Sequence, residues 1–351
     1  MSSVVDIGVL EEKANWLLHP RFFPSKIGGK PAWLNLRDLP QPKELCCKKC
    51  EESLVFLCQV YAPYEESEDC FHRTLYIFVC KNGSCCQPGT ADNFTVIRCQ
   101  LPRKNDFFSF EPYEERQDEE FSMEKWSKLC EICGIKAPSH CSKCKKSFYC
   151  TRKHQVLDWQ KGHKESCLKE RSSKENNNFK VTPAGKSLLF KEWELIVDEE
   201  HGEDDKNIDV KQEMEKLRKL MEEKKAGSLN DISENELEQY TRTLPEDKVF
   251  SKFSKRIARH PDQVLRYDRG GQPLWITSNE GTIIHVPKCQ FCDGVRQFEF
   301  QVMPQLLNYI DVGIDLNSID WGILAVYTCK ASCNQGPAYK VEFMIKQDLT
   351  K

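Results

Sequence analysis

Eight cysteine and histidine residues spaced in pairs within 38 positions constrain this chain more than any other feature of its sequence. They form four pairs, two of the Cys-x-x-Cys type and two with a three-residue gap: Cys130/Cys133, Cys141/Cys144, Cys150/His154 and His163/Cys167. A Cys-x-x-Cys turn directs two thiolates at one ion, and a three-residue gap on a helix places two ligands on the same face. Eight ligands suit two tetrahedral zinc ions. The pairs are expected to interleave, first with third and second with fourth, but the sequence leaves that pairing open.

The cluster resembles a MYND zinc finger in its ligands and in two flanking motifs, FYC at 148–150 and QxxDWxxxHK at 155–164. It departs at His154, where most of these modules carry cysteine, although imidazole also binds zinc. His140, beside Cys141, is a competing ligand. The resemblance implies that the surface around Gln155 and Trp159 holds short proline-containing peptides. We prefer the simpler interpretation that Trp159 covers the zinc site.

An internal repeat determines the expected architecture. Residues 28–34 match residues 270–276 at a shift of 242 positions. The same shift superimposes three further pairs without a gap: Cys47/Cys289, Cys50/Cys292 and Gln59/Gln301. Weaker matches pair 75–80 with 324–329 and 97–100 with 344–347. A repeat makes the matching segments structurally equivalent, so a duplicated unit is predicted on either side of the finger.

Each repeat also carries its own set of four cysteines: Cys47, Cys50, Cys80 and Cys85 in the first, and Cys289, Cys292, Cys329 and Cys333 in the second. No secretory leader is recognised, and spaced thiols in a reducing compartment are more often metal ligands than disulfides. One structural zinc ion is therefore predicted in each repeat, besides the two in the finger. Cys46 and Cys86 neighbour predicted ligands and are alternative ligands in the first site.

The predicted fold class is α+β, mostly β, with two pseudo-duplicated zinc-bearing β-rich halves and an inserted two-zinc finger. The predicted boundaries are an N-terminal half at 1–110, an acidic linker at 111–127, the finger at 128–168, a charged and partly disordered linker at 169–245, and a C-terminal half at 246–351. Strands are predicted at 54–61, 74–80, 94–100, 298–303, 323–329 and 339–346, and a helix at 247–259. The two halves are expected to pack against each other as pseudo-symmetric units.

The sequence favours a binding protein over an enzyme. Four protein ligands would fill each zinc site, and closed zinc sites contribute to folding rather than to catalysis. The chain has no nucleophile elbow, phosphate-binding loop or His-Glu-x-x-His motif, and no signature of the methyltransferases that contain MYND modules. Its net charge of −3 does not favour direct nucleic-acid binding. No apolar run is long enough to span a bilayer, so no membrane partner is expected.

Four further motifs resemble the programmed cell death protein two family: PSKIGGKPAWL at 24–34, LPRKND at 101–106, QVMPQLL at 301–307 and DWGILAV at 320–326. The resemblance implies a cytoplasmic and nuclear protein of small-subunit ribosome production, a dedicated chaperone for a newly made small-subunit ribosomal protein. The acidic segments suit a basic client, and Trp33 and Trp275 are expected near the client surface. The alternative is a transcription co-regulator or adaptor that recruits partners through the finger.

Overall fold

The computed structural model describes residues 5–116, 121, 123–167, 182–200, 248–278, 285–312 and 318–348. Part of the predicted acidic linker (117–120 and 122) and much of the predicted charged linker (169–181 and 201–245) lie outside the described residues. The chain divides into two compact units, and every strand among the described residues lies in the first. That unit comprises 1–199, 262–273 and 284–351, and the second comprises 200–261 and 274–283.

Strands dominate the described structure, which confirms the predicted class of α+β, mostly β. The strands are β1 (Asp6–Glu11), β2 (Lys26–Ile27), β3 (Val55–Tyr61), β4 (His72–Val79), β5 (Phe94–Leu101), β6 (Ser139–His140), β7 (Phe148–Tyr149), β8 (Trp193–Glu199), β9 (Leu265–Tyr267), β10 (Arg296–Val302), β11 (Ile323–Cys329), β12 (Tyr339–Val341) and β13 (Phe343–Gln347). The helices are α1 (Arg152–Asp158), α2 (Lys164–Ser166), α3 (Pro183–Leu188) and α4 (Lys248–Arg259), with a π-helical turn at Trp159–His163. No described helix combines the length and the apolarity that a membrane crossing needs.

Eleven of the strands form one sheet in the order β12-β5-β4-β3-β2-β8-β1-β9-β10-β11-β13. Only Glu342 separates β12, which pairs with β5, from β13, which pairs with β11. The Glu342 N–H also donates to the Val96 carbonyl at 2.9 Å. The segment from Tyr339 to Gln347 therefore joins both ends of the sheet through one continuous stretch of chain.

The strand order shows how the two halves are joined. Strands β2 to β5 run outward from the central pair β8/β1 on one side, and β9, β10, β11 and β13 run outward on the other. Strand β1 lies beside β9 of the C-terminal half, whereas β8 lies beside β2 of the N-terminal half. Strand β1, at the start of the N-terminal half, thus borders the C-terminal half, and β8, which precedes the C-terminal half in sequence, borders the N-terminal half. The expectation that the halves pack against each other is met within a single sheet.

Strand β8 and helix α3 correct the predicted linker at 169–245. Both elements fall inside that range, and β8 is a central strand of the sheet. Leu195 is buried, and the Leu195 N–H donates to the Ser25 carbonyl at 3.0 Å. The apolar residues of β8 are followed by an acidic run, and the polarity of that run obscured the strand.

Two buried ion pairs connect the halves. The N-terminal half supplies Arg73 and Arg98, and the C-terminal half supplies their partners Glu299 and Glu342. The Arg73 Nη2 donates to Glu299 Oε2 at 2.7 Å, and the Tyr267 hydroxyl donates to the same carboxylate at 3.0 Å. All four charged side chains are at most 1% exposed. Charges buried this deeply are tolerated because each is paired and hydrogen-bonded.

Candidate metal centres

The structure gathers the sixteen predicted ligands into four groups, with the ligand atoms of each group within 4.8 Å of one another. The groups are Cys47, Cys50, Cys80 and Cys85; Cys130, Cys133, Cys150 and His154; Cys141, Cys144, His163 and Cys167; and Cys289, Cys292, Cys329 and Cys333. Within the finger, the first pair lies with the third and the second with the fourth. This is the interleaved arrangement that the sequence left open.

Seven of eight separations between ligand atoms fit tetrahedral zinc, and the eighth, Cys150 Sγ to His154 Nδ1, is shorter at 3.0 Å. Zinc–sulfur bonds of about 2.3 Å place two sulfurs about 3.8 Å apart, and a sulfur and a nitrogen about 3.6 Å apart. Five sulfur pairs lie 3.6 to 3.8 Å apart: Cys50/Cys80, Cys133/Cys150 and Cys292/Cys329 at 3.6 Å, Cys289/Cys333 at 3.7 Å, and Cys141/Cys167 at 3.8 Å. Cys130 Sγ to His154 Nδ1 and Cys144 Sγ to His163 Nε2 are both 3.6 Å. A disulfide would need about 2.05 Å, so the donor sets suit a metal ion.

All four Cys-x-x-Cys segments adopt the same turn. In each, the N–H of the residue after the second cysteine donates to the carbonyl of the first cysteine, at 2.8 to 2.9 Å. That following residue has a positive φ in every case: Glu51 (59°), Gly134 (71°), Lys145 (57°) and Asp293 (56°). Non-glycine residues adopt this conformation at a cost, so its recurrence indicates that the surrounding site maintains it.

The finger positions its two ligand histidines, His154 and His163, with a short hairpin and a capped helix. The β6/β7 hairpin precedes α1, and the Thr151 hydroxyl caps that helix by accepting from the His154 N–H at 3.3 Å. The Tyr149 hydroxyl donates to the Asp158 carboxylate at 2.8 Å and braces the same helix. The π-helical turn then carries His163 into the second group.

The outer groups close the ends of two equivalent hairpins. Cys47 and Cys50 precede β3, and Cys80 and Cys85 follow β4, which pairs with β3. Cys289 and Cys292 precede β10 in the same way, and Cys329 ends β11. A metal ion in either group would tie together the two ends of its hairpin.

The electrostatics of the outer groups favour a bound cation. Burial opposes ionisation of Cys289, but backbone N–H groups of Phe291 and Cys292, together with hydrogen bonds from the Cys333 and Cys292 thiols, outweigh burial and lower the pKa of that thiol. Burial raises the pKa of Cys333 to about 12, and the neighbouring thiols Cys292 and Cys289 contribute to that rise. Four crowded thiols resist ionising together unless a positive charge lies among them.

The three competing ligands lie outside the groups. Cys46 Sγ donates to the Pro42 carbonyl at 3.2 Å, and Cys86 Sγ donates to the Asp320 carbonyl at 3.2 Å. His140 is exposed, and its ring contacts the Phe148 ring. Each has a neighbour other than a metal ligand.

The predicted peptide-binding residues Gln155 and Trp159 are both half-buried, one helical turn apart. The Trp159 ring meets the His163 ring edge-on, with centroids 5.8 Å apart. This contact supports the interpretation that Trp159 covers the metal group containing His163.

Comparison with known proteins gives a consistent result along the chain. Residues 4–115 match the programmed cell death protein 2 N-terminal domain, 130–167 match the MYND finger, and 247–348 match the programmed cell death protein 2 C-terminal putative domain. Programmed cell death protein 2 of Rattus norvegicus is 41% identical over 99% of this chain and 97% of its own length. The chain belongs to the programmed cell death protein 2 family.

Two more distant relatives are similar to this chain along most of its length. The human protein named programmed cell death protein 2-like is 28% identical, over 88% of this chain and 85% of its own. A Schizosaccharomyces pombe protein named probable 20S rRNA accumulation protein 4 is 24% identical, over 90% of this chain and 89% of its own. No solved structure matches the chain. The MYND finger and the three-dimensional Cys/His groups together indicate a zinc-binding protein.

In this member of the programmed cell death protein 2 family, the finger packs onto the N-terminal half. Trp33 is fully buried, and its indole N–H donates to the Gly134 carbonyl of the finger at 2.7 Å. A Cβ atom at Gly134 would come within 2.8 Å of Lys30 Cβ. Trp33 itself is therefore not exposed to a client, because the finger covers it, and the client surface near Trp33 and Trp275 stays a prediction. The repeated Gly-Gly-x-Pro-x-Trp motif marked this tryptophan but did not reveal its partner.

Proposed function

We propose that this chain is a non-enzymatic zinc protein of ribosome biogenesis that holds one newly made small-subunit ribosomal protein. The observation that carries the proposal is the end-to-end similarity to a family that includes a protein named for 20S rRNA accumulation. The chain binds four zinc ions, two in the finger and one in each outer group. It acts in the cytoplasm and the nucleus, where such a client is made and assembled.

The metal groups support a structural role for zinc. Each group offers four protein ligands, which complete a tetrahedral shell and leave no position for water or substrate. Zinc bound in this way supplies folding free energy to the hairpins and to the finger. A titration with a methyl donor tests the non-enzymatic assignment, and we expect no saturable binding.

An acidic surface on the central strands suits a basic client. Strands β1 and β8 place Asp6 opposite Glu199 at one end of the strand pair. Like charges directly opposite each other destabilise a strand pair. Burial raises the pKa of Asp6, and the nearby Glu199, Asp198 and Asp268 raise it further. A basic segment beside this surface would relieve the repulsion, and ribosomal proteins are basic.

Affinity capture during active translation tests the client. The wild-type chain is expected to enrich one small-subunit ribosomal protein, part of it still nascent. The double substitution D198K and E199K should reduce that capture about tenfold, because it reverses charge on the exposed end of β8. The matched control is E65K and E66K, which changes the net charge equally at another exposed site. Equal loss in both variants would overturn the acidic end of β8 as the client site. No ribosomal protein in the wild-type capture would overturn the client assignment.

A second candidate function uses the finger as an adaptor for proline-containing peptides. It is favoured by the partial exposure of Gln155 on α1 and of Trp159 at the start of the π-helical turn that follows. Trp159 contacts the metal ligand His163, so its replacement also perturbs the finger. Gln155→Ala is the cleaner test, because it should abolish peptide capture and leave the ribosomal protein bound. If Gln155→Ala leaves peptide capture intact, the adaptor function is excluded.

A further inference from the structure

Strands β5 and β13 occupy equivalent positions in the two repeats, and each reaches the outer metal group of the opposite half. Strand β5 belongs to the N-terminal half and contacts the loop that carries Cys333. Strand β13 belongs to the C-terminal half and contacts the loop that follows Cys85. We propose that each half positions the metal ligands of the other, so that the two outer zinc ions bind cooperatively. This inference rests on the zinc content proposed above.

One arginine of the N-terminal half helps to position both ligands of the second cysteine pair in the C-terminal half, beside Arg296, which also donates to Glu342 Oε2 at 2.9 Å. Arg98 is fully buried, and its Nη2 donates to the Cys333 carbonyl at 3.3 Å. Its Nε donates to Glu342 Oε1 at 2.8 Å. The other oxygen of Glu342 accepts the N–H of the ligand Cys329 at 3.2 Å. A displacement of Arg98 would therefore disturb Cys329 and Cys333 together.

The neighbouring Gln100 holds a conformationally strained residue of the same loop. Its Nε2 donates to the Ser332 carbonyl at 3.0 Å. Ser332, which directly precedes the ligand Cys333, has a φ of 44° in the left-handed region. Such a conformation persists in a non-glycine residue only when its surroundings fix it. Gln100, on the opposite half, provides part of that constraint.

The reciprocal contact starts from a buried lysine of the C-terminal half. Lys346 Nζ donates to the Gln87 carbonyl at 3.1 Å and to Cys86 Sγ at 3.4 Å, immediately after the ligand Cys85. Asp348 pairs with Lys346 at 2.6 Å and accepts the Gly89 N–H at 2.6 Å. The Lys346 side chain is 1% exposed, whereas that of Asp348 is 27% exposed. The loop after Cys85 is thus held by the end of β13.

These contacts predict coupling in both directions. Partners behind metal ligands typically change metal affinity 10- to 100-fold. Loss of the N-terminal ion would loosen the loop that leads into β5, and with it Arg98 and Gln100. Loss of the C-terminal ion would loosen the loop that leads into β12 and β13, and with it Lys346. Coupling between two binding sites is reciprocal by thermodynamic necessity.

Native mass spectrometry of the full chain during titration with a zinc chelator tests the coupling. The wild-type chain is expected to pass from four zinc ions to two with little of the three-zinc form, because the outer ions leave together. Lys346→Met should lower the chelator concentration for loss of the N-terminal ion about tenfold and make the three-zinc form accumulate. Asp348→Ala, at a more exposed position, should shift the same transition in the same direction.

Lys330→Met is the matched control, because Lys330 is exposed and adjoins the ligand Cys329. It should leave the titration as in the wild type. A further variant, Cys292→Ser, removes one C-terminal ligand and should make the remaining outer ion leave at about tenfold lower chelator. Four ions that leave independently, or equal shifts in Lys346→Met and Lys330→Met, would overturn the coupling and leave the zinc content intact. A wild-type chain that holds only two ions would overturn both.

Discussion

At the scale of single residues, the pairing of Arg73 with Glu299 has the largest predicted effect on stability. Burial opposes ionisation of Glu299, but the Arg73 guanidinium, with smaller contributions from Thr328 and Arg269, outweighs burial and lowers the pKa of the carboxyl to about 2. Arg73→Leu would leave a buried carboxylate without its partner and should lower the free energy of unfolding by about 3–5 kcal/mol. Urea denaturation measures the change. Adding Glu299→Gln to Arg73→Leu should recover part of the loss, and a double variant no more stable than Arg73→Leu would contradict this account.

His72 predicts a dependence of stability on pH. Burial, and then the Arg103 guanidinium, lower the pKa of His72 to about 4. The unfolded chain binds this proton below about pH 6.5 and the folded chain does not, so stability should fall as the pH drops from 6.5 towards 4. The slope attributable to His72 is up to about 1.4 kcal/mol per pH unit.

Urea denaturation of wild type and His72→Gln between pH 7 and pH 5.5 measures that slope. The variant should show a shallower pH dependence because it lacks the titrating group. Replacing the exposed His140 with glutamine is the control and should leave the slope unchanged. Parallel pH profiles for wild type and His72→Gln would exclude the role of this histidine.

The metal groups could be predicted from the sequence because ligand chemistry and spacing are local. Cys130 and Cys133 are close enough in sequence to form one turn by themselves. The repeat extends the same prediction to the pairs that begin at Cys47 and Cys289. The burial of Trp33 could not be predicted, since its partner Gly134 lies 101 positions away. Neither the segment around Trp33 nor the one around Gly134 carries a sequence pattern that indicates their contact.

At the scale of elements, Gly8 lies where side chains of the neighbouring strands β8 and β9 leave no room for a Cβ atom on β1. A Cβ atom at Gly8 would lie 2.8 Å from Leu195 Cδ1 on β8 and 2.9 Å from Leu265 Cβ on β9. Gly8→Ala should therefore destabilise the chain by about 1–3 kcal/mol in urea denaturation, through overpacking. Val9→Ala on the same strand only removes methyl groups from a half-buried site and should cost less. A Gly8→Ala variant as stable as wild type would contradict the central position of β1.

Strands β1 and β8, at the junction of the two halves, explain why the sheet was harder to predict than its hairpins. The pairs β3/β4 and β10/β11 follow short apolar runs bounded by cysteine turns, and these strands lie within two residues of their predicted ends. Val9 on β1, by contrast, pairs with Ile196 on β8, at the far side of the finger. No local pattern indicates a partner so distant, and β8 was hidden by its acidic continuation.

At the scale of the whole molecule, the finger is part of the core of the N-terminal half. Ile132, Ile135 and Tyr149 of the finger belong to the same buried cluster as Trp33 and Tyr76. Deleting residues 130–167 should thus expose Trp33 and lower the melting temperature of the remainder by several degrees or more. Differential scanning fluorimetry compares the deletion with the full chain. An unchanged melting temperature would show that the finger is an independent module.

The central claim is that a duplicated zinc-bearing unit surrounds a two-zinc finger, with four closed metal groups in one chain. The zinc content of the purified full chain under native conditions, counted by mass spectrometry, tests it most directly. The account predicts four zinc ions per chain, with Cys50→Ser and Cys292→Ser each removing at least one. A wild-type chain with two zinc ions, both retained in these two variants, would contradict it.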